Sequence, residues 1–536
     1  MPCITLQLGQ CGNQLGCSFF NTLATEFSSH DYGADAVHEY FRPSADPNLY
    51  TARSVLIDME PKVVAGARAS AAASGGWWRY PSAGYLVMQS GSGNNWAQGF
   101  HGYGPQVHED AVDLVRKEVE HADALSGFLL LQSMAGGTGA GLGTYVAEAL
   151  RDEYHSAFVA NCCVWPYESG EVIVQPYNTL LTLSHLADVS DGLVLLENEA
   201  LHRTAAKLYG IARPSFGDMN GIAARALASA LLPSQPRGPY SGGAYIAPTS
   251  QQQQQAQAHG HGAGPGRNSP GSGGGGGGGG GVQLPALRRA DSSGGRLGGD
   301  SPGVGSLGSR GGCSTPPPAA AASPSAPGAG GTGGLGVCTA PLAELLTRLC
   351  GHPAYRLLTL RAVPQLPPAN IDFTTFTWPA LTKRLRQMLV TGSVLEEGLD
   401  WSVTPQSPGA AAALGVGLAG PTVNRTLASW LILRGQGAAE VDVGEFADPA
   451  LSAAWSPEPL SVSYNAGRFG RCAMSACLLS NDRHCVGPIQ RMQEHAYGML
   501  ESRAFVHQYE KYGLSVADFQ ECFARIEDIA QRYARL

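Results

Sequence analysis

Four segments of the sequence contain residue types that could bind a phosphate or a metal ion. The longest, residues 133–144, reads SMAGGTGAGLGT and follows an apolar run at residues 128–131. Glycines lack the Cβ atom that keeps an anion away from the backbone, and the positive end of a following helix dipole attracts negative charge. The segment has no lysine, so it is not a Walker motif, and it lacks the GxGxxG spacing of dinucleotide-binding folds. Taken alone, it fits a phosphate-binding loop and a tight turn equally well.

The other three segments also come directly after short apolar runs. They are residues 9–14 (GQCGNQ), the carboxylates of Asp58 and Glu60, and residues 91–97 (GSGNNWA). Parallel sheets bind their ligands outside the carboxyl ends of the strands. If each apolar run is a strand, we expect all four segments to meet at one edge of a sheet.

The elements that must position these segments alternate between strand and helix. Predicted strands lie near 3–8, 54–57, 84–88, 128–131, 158–164, 192–196, 355–360 and 427–434. Predicted helices lie near 15–27, 145–154, 176–186, 216–232, 341–350, 379–390, 490–503 and 516–533, with residues 9–14 as a turn and Asn198 as an N-cap residue. This pattern predicts an α/β fold with a doubly wound, mostly parallel, Rossmann-like sheet.

Residues 235–337 interrupt the alternation with a low-complexity stretch rich in Gly, Pro, Gln and Ser. It has too few apolar residues to form a core, so we predict a long disordered insertion, either an unmodified spacer or a site of Ser-Pro phosphorylation. The resulting divisions are a ligand-binding domain with a core helix at 1–234, the insertion at 235–337, a second, intermediate α/β domain at 338–484 and C-terminal helices without an acidic tail at 485–536.

Charge and cysteine usage exclude several classes of protein. The insertion has six arginines and two aspartates while the whole chain has net charge −8, so the remainder is acidic and a poor candidate for nucleic-acid binding. The 12 cysteines include no CxxC pair, the first residues do not resemble a signal peptide, and no apolar run reaches the roughly 20 residues of a membrane span. These features predict a reduced, soluble protein of the cytoplasm with no membrane partner.

Together the four segments resemble the tubulin family. The matching sequence motifs are GQCGNQ at 9–14, DMEP at 58–61, GSGNNWA at 91–97 and GGTGAG at 136–141. They occur in the family's order, and the whole ordered chain takes part in the resemblance. The long insertion, the segments WPY at 165–167 and TTFTW at 374–378, and the ending without an acidic tail are most similar to the family member found in centrioles and basal bodies.

The resemblance implies a GTP or GDP site with Mg²⁺, held by Asp58 and Glu60 directly or through water. It assigns residues 137–141 to the phosphates, and Gly93 and Asn94 to the γ-phosphate. Gln10 and Cys11 would contact the diphosphate and the base side, Asn198 and Asn220 would read guanine, and Phe216 would stack on it, unless Phe216 is simply a core residue. The full set of predicted nucleotide-binding residues is Gln10, Cys11, Gln14, Gly93, Asn94, Ser133, Ala135, Gly136, Gly137, Thr138, Gly139, Ala140, Gly141, Glu171, Gln175, Asn198, Phe216 and Asn220.

Two departures from the family pattern affect affinity and catalysis. Gln175 stands where the family has a ribose-contacting carboxylate, and Glu171 is the nearest acid. Tubulins hydrolyse GTP with an acidic residue of the next subunit. The GxxNxD motif that leads into the helix with that residue is missing here. Counting back from His352 and Pro353 places Glu344 at the acidic position, where it would act in trans; the alternative is an ordinary solvated helix carboxylate.

The resemblance therefore implies a cytoskeletal subunit of centrioles, basal bodies and cilia. Its partners would be other tubulin subunits, microtubules and centriole components, and its enzymatic activity would be weak GTP hydrolysis completed at a subunit interface. Two alternatives stay open. One is a nucleotide-binding metabolic enzyme on a similar sheet, and the other is a structural subunit that holds nucleotide without turnover.

Overall fold

Short buried strands alternating with helices build one large sheet in this computed structural model. The structure describes residues 1–170, 172–237, 341–367, 369–405 and 423–536. Nearly all of the predicted insertion therefore lies outside the described residues. The described residues belong to a single compact unit.

The strands are β1 (Cys3–Leu8), β2 (Phe41–Pro43), β3 (Tyr50–Ala52), β4 (Ser54–Asp58), β5 (Trp78–Arg79), β6 (Tyr85–Val87), β7 (Gly127–Ser133), β8 (Phe158–Trp165), β9 (Gly192–Glu197), β10 (Gln235–Pro236), β11 (Leu357–Val363), β12 (Thr426–Gly435), β13 (Leu460–Asn465) and β14 (Met474–Asp482). The α-helices are α1 (Gly9–Ser29), α2 (Ala34–Tyr40), α3 (Pro61–Ala73), α4 (Gly104–Val119), α5 (Gly143–Glu153), α6 (Gln175–Val189), α7 (Asn198–Arg203), α8 (Phe216–Leu231), α9 (Pro341–Leu349), α10 (Trp378–Thr391), α11 (Val486–Glu501), α12 (Val506–Glu510) and α13 (Val516–Ala534). Shorter π-helical segments occupy Gln98–Tyr103, Thr138–Leu142 and Thr204–Leu208.

The parallel half of the sheet has the order β9-β8-β7-β1-β4-β6. The chain first adds β4 and β6 on one side of β1 and then returns to add β7, β8 and β9 on the other. The strand order thus reverses between β1 and β7. In doubly wound folds this reversal opens a crevice at the carboxyl ends of the two strands, which is the usual place of a ligand.

The mixed half continues the same sheet in the order β10-β13-β12-β14-β11, with β11 parallel to β9. Strand β14 runs antiparallel to both of its neighbours, β11 and β12. The predicted boundaries at 234 and 484 stay predictions, since the described strands on both sides of the insertion share one sheet. A separate small sheet, in the order β2-β3-β5, was not predicted.

Both faces of the sheet are covered, as strand β7 shows. Phe128 and Leu130 point into a core that includes the C-terminal helices, whereas Leu129 and Leu131 point into a core built with α1 and α8. Alternate residues of a strand face opposite sides, so a strand buried on both faces is a continuous apolar run. This explains why β7 was visible in the sequence.

The predicted fold class is confirmed, with one local correction next to the site. Residues 9–14 were predicted as a turn, but Gly9 is the first residue of α1. Gly12 is needed for packing, because a Cβ atom there would lie 2.0 Å from the carbonyl oxygen of Leu131 in β7. Among the described helices, none is both long enough and apolar enough to cross a membrane.

Candidate nucleotide-binding site

Two helical N-termini face each other where the strand order reverses. Helix α1 begins directly after β1, and after β7 the glycine segment passes into the π-helical turn Thr138–Leu142 and then α5. The backbone of Gly9 lies against that of Gly139. Neither α1 nor α5 has an acidic residue in its first turn. Free N–H groups and positive helix ends whose own first turns have no acidic residue make this edge suitable for an anion.

The segment at residues 91–95 packs onto the glycine segment. The hydroxyl oxygens of Ser92 and Thr138 are 2.9 Å apart. A Cβ atom on Gly137 would lie only 2.4 Å from Ser92 Oγ, so this approach requires glycine. Gly93 and Asn94 are exposed at the tip with left-handed backbones, at φ +56° and +54°. The structure therefore brings the residues predicted to contact the phosphates next to those predicted to contact the γ-phosphate.

Asp58, at the end of β4, presents a buried carboxylate to this edge. Its side chain accepts a hydrogen bond from the Glu60 backbone N–H at 3.2 Å, while its second oxygen is buried without a partner. Burial raises the pKa of Asp58 to about 6. Glu60 is half-exposed beside Gly91 and pairs with Lys62 at 2.8 Å.

This pair of carboxylates fits Mg²⁺. An unsatisfied carboxylate oxygen next to a second, accessible carboxylate is the oxygen-rich environment that the cation prefers. Within the part of the chain that the structure describes, no group of three or more His, Cys, Asp or Glu side chains forms a metal site by itself. Phosphate oxygens and water would have to complete the coordination shell.

The first two turns of α1 contain the other predicted phosphate-side residues. Gln10 and Gln14 are exposed four residues apart and so share one helix face. Cys11 is partly buried, and burial raises the pKa of its thiol to about 12. Asn13, which had no predicted role, donates from Nδ2 to the carbonyls of Gly9 at 2.9 Å and Ile57 at 3.2 Å. It thereby fixes the start of α1 to the end of β4.

The residues predicted to read the base lie at the starts of α7 and α8. Asn198 is the first residue of α7, and Glu197 rather than Asn198 is its cap. Phe216 opens α8 after a capping box formed by Ser215 and Asp218, and its ring is 55% exposed. The alternative that Phe216 is a core residue is therefore wrong. Asn220 is buried one turn further along α8.

Gln175 has a partner inside the chain. Its side-chain nitrogen donates to the carbonyl of Tyr167 at 2.6 Å. The Tyr167 hydroxyl in turn lies 3.3 Å from a ring nitrogen of His202 on α7 and 3.3 Å from the sulfur of Met219 on α8. Gln175 thus joins this loop to the helices that contain Asn198 and Asn220, and its contact with a ribose stays a prediction. Glu171 lies outside the described residues.

Asn178 was not predicted as a site residue, although it connects the two phosphate-side segments. It is fully buried on α6 and donates to the carbonyls of Asn94 at 2.8 Å and Ala135 at 2.6 Å. Ser133 supports the same turn, since its hydroxyl accepts from the Ala135 N–H at 3.2 Å. Other polar residues of α6, such as Thr179, Thr182 and Ser184, are buried as well, so no sequence signal distinguished Asn178 from them.

Glu344 is not part of this cluster. It lies in the first turn of α9, with 18% of its side chain exposed, and pairs with Arg348 at 2.6 Å. Arg348 also donates to Ser461 Oγ at 3.2 Å. Within the described residues, no hydrogen bond or ion pair joins Glu344 to another predicted site residue, and its role in trans stays a prediction.

Comparison with known proteins agrees with this geometry. The sequence model of the GTPase domain of the Tubulin/FtsZ family matches residues 2–206, which contain all four segments. The chain is 33% identical over 551 residues to the tubulin delta chain of Canis lupus familiaris, 33% over 551 to that of Mus musculus and 32% over 550 to that of Macaca fascicularis. In each case the similarity covers 100% of both chains. The chain therefore belongs to the tubulin family, in which it is similar over its full length to delta-tubulins.

Proposed function

We propose that this chain is a GTP- and GDP-binding tubulin subunit that assembles or stabilises the microtubules of centrioles and basal bodies, and so supports cilium formation. Its place in the tubulin family makes it a cytoskeletal protein, and the matched GTPase domain implies a guanine nucleotide. The centriolar role is supported by the similarity to delta chains. Other tubulin subunits, microtubules and centriole components are the partners that follow from this proposal.

One observation supports nucleotide binding most directly: the close packing of the 91–95 segment on Gly137 at the reversal of the strand order. The two segments leave Gly93 and Asn94 exposed above two helical N-termini. Because the glycine segment has no lysine, backbone N–H groups and helix dipoles would bind the phosphates, with Thr138 and Ser92 fixing the distance between the segments.

Mg²⁺ belongs to the same proposal. Asp58 and Glu60 would hold it, and when bound it would neutralise phosphate charge. At the opposite end of the site, the exposed ring of Phe216 is free to stack on a base, and the amides of Asn198 and Asn220 each offer a donor and an acceptor. Membership in the tubulin family and the absent GxGxxG spacing leave the metabolic-enzyme alternative without support.

Substitution of Gly137 tests nucleotide binding. Gly137→Ala would push Ser92 away, so we expect the full-length chain to bind GTP and GDP at least about tenfold more weakly in a fluorescent-nucleotide displacement assay. Gly66→Ala is the control, since Gly66 is exposed on α3 with open space around it. A Gly137→Ala variant with normal affinity, or a wild-type chain that binds neither nucleotide, would contradict the proposal.

Hydrolysis would be completed at a subunit contact, with Glu344 acting on the nucleotide of a neighbouring subunit. The second candidate function, holding nucleotide without turnover, is favoured by the ion pair that already engages Glu344. Phosphate release in mixtures with tubulin distinguishes the two. A catalytic Glu344 predicts slower release in Glu344→Gln but not in Arg348→Gln, which breaks the same ion pair and keeps the carboxylate. A wild-type chain that adds no phosphate release to that of tubulin alone would favour the second candidate.

A further inference from the structure

The Asn178 side chain joins the two phosphate-side segments to a third segment near the C-terminus. Its Nδ2 donates to the carbonyls of Asn94 and Ala135, and its Oδ1 accepts from the Trp96 N–H at 3.0 Å and from the Tyr509 hydroxyl at 2.6 Å. Asn178 and Tyr509 are both fully buried. The hydrogen-bonding capacity of the amide is therefore filled, and any movement of Tyr509 must disturb the other three bonds.

Two further hydrogen bonds hold residues 503–509, one from the 91–95 segment and one from α6. Asn95 donates from Nδ2 to the carbonyl of Gln508 at 3.1 Å, and the Tyr177 hydroxyl donates to the carbonyl of Ala504 at 3.1 Å. The outer side of residues 503–509 is exposed at Arg503, His507 and Gln508. The 503–509 segment thus contacts the 91–95 segment on its inner side and solvent on its outer side.

Backbone strain is concentrated at this junction. Within the described residues, the non-glycine residues with positive φ are Asn94 at +54°, Arg503 at +52° and Phe505 at +59°. All three lie on the two segments that Asn178 and its neighbours connect. Asn tolerates the left-handed region, but Arg and Phe in it are strained, and such conformations persist only where surrounding contacts hold them. The 91–95 segment and the 503–509 segment therefore depend on each other for their conformations.

We propose that the 503–509 segment reports and controls the state of the nucleotide site, with Tyr509 and Asn178 as positioning residues that hold the 91–95 segment against the terminal phosphate. This inference rests on the proposed function and deepens it. The glycine segment is held by Ser133 and the following helix as well as by Asn178, whereas the 91–95 segment adds to its Asn178 bond a direct contact with the carbonyl of Gln508. Loss of these contacts should therefore weaken binding of GTP more than binding of GDP, which lacks the terminal phosphate.

Coupling between two sites is reciprocal. If the 503–509 segment favours the GTP-bound arrangement of the site, then GTP must stabilise that segment more than GDP does. A protein bound to the exposed side of the segment would then alter the preference for GTP, and the nucleotide would alter the affinity for that protein. The C-terminal helices are thereby linked to the nucleotide without a direct contact to it.

Tyr509→Phe is the sharpest variant, because it removes one hydroxyl and keeps the ring. Tyr533→Phe is a matched control: Tyr533 is also fully buried and donates to Asn481 Oδ1 at 2.8 Å, on α13 and β14. We expect Tyr509→Phe to lower the preference for a non-hydrolysable GTP analogue over GDP about three- to tenfold in the full-length chain. Because the Tyr533 hydroxyl also accepts from the Leu357 N–H at 2.8 Å, Tyr533→Phe should destabilise the fold at least as much as Tyr509→Phe and leave the preference unchanged.

Hydrogen–deuterium exchange of the wild-type chain provides a second measurement that needs no variant. The amides of residues 503–512 should exchange more slowly with the GTP analogue than with GDP. Equal exchange in the two states, or an equal loss of affinity for both nucleotides in Tyr509→Phe, would overturn the inference while nucleotide binding itself stands. A wild-type chain that binds neither nucleotide would instead overturn the proposed function and this inference together.

Discussion

The two halves of the large sheet differ in whether a buried charged side chain is fully paired within the chain. In the mixed half, Arg361 on β11 and Asp482 at the end of β14 are both fully buried and lie 2.7 Å apart. Arg361 also donates to Ser480 Oγ and to the carbonyls of Gly392 and Ser393. In the parallel half, Asp58 ends β4 with one carboxylate oxygen buried and unpaired.

This difference separates polar groups that hold the fold from those available to a ligand. Buried polar groups in folded proteins are almost always hydrogen-bonded, so an unpaired one needs an explanation. The Arg361 network is satisfied within the chain and has no capacity left for a ligand. Asp58, by contrast, lies beside exposed backbone at the carboxyl ends of parallel strands, where a cation and phosphates would satisfy it.

Breaking the Arg361 network should have the largest effect on stability. Arg361→Met leaves the Asp482 carboxylate buried without its cation, so we expect the free energy of unfolding to fall by about 3–5 kcal/mol. Chemical denaturation of the full-length chain measures this change. The folded fraction should still bind GTP with normal affinity. A loss of binding without a loss of stability would reverse the roles assigned to the two halves.

The same ion pair should make stability depend on pH in the acid range. Burial alone would raise the pKa of Asp482, but the Arg361 guanidinium, with help from His484 and Ser480, outweighs burial and holds the pKa below its ordinary value. Asp482 therefore binds fewer protons in the folded state, and its contribution is present above the unfolded pKa of about 3.9 and disappears as the pH falls through the lower folded pKa. Melting temperatures between about pH 5 and pH 3 should fall more steeply for the wild-type chain than for Asp482→Asn. Parallel curves would show that this pair does not govern acid stability.

Asp58→Asn should affect ligand binding with little change in the fold. We expect GTP to bind about tenfold more weakly in the presence of Mg²⁺, with EDTA removing the difference between variant and wild type. The stability of the nucleotide-free chain should change by less than about 1 kcal/mol, because no hydrogen bond to the second oxygen is lost. Asp113→Asn, on the exposed surface of α4, is the control. A variant that loses stability but whose folded fraction binds GTP with the same Mg²⁺ dependence as the wild-type chain would assign Asp58 to the fold.

The elements nearest the site were predictable because their signals are local. Strand β1 was predicted with its observed bounds, and the predicted starts of α8 and α13 also agree with the structure. The prediction of a turn at residues 9–14 was wrong. A glycine can permit a turn or, like Gly12, let a helix pack closely against a strand residue such as Leu131, and the sequence does not distinguish the two. Strands β13 and β14 were not predicted, and neither was the antiparallel placement of β14 between β11 and β12, since strand pairing depends on contacts between distant residues.

The sequence by itself determined the chemistry of the site: glycine segments without a lysine, two carboxylates after a strand, and the order of motifs that marks the tubulin family. Only the tertiary structure decided which groups are left open and which are paired. One carboxylate oxygen of Asp58 lacks a partner, whereas Glu344 pairs with Arg348, because of what packs beside each of them. Tyr509 reaches Asn178 across 331 residues of sequence, a contact that exists only because α6 and the C-terminal helices cover the same face of the sheet.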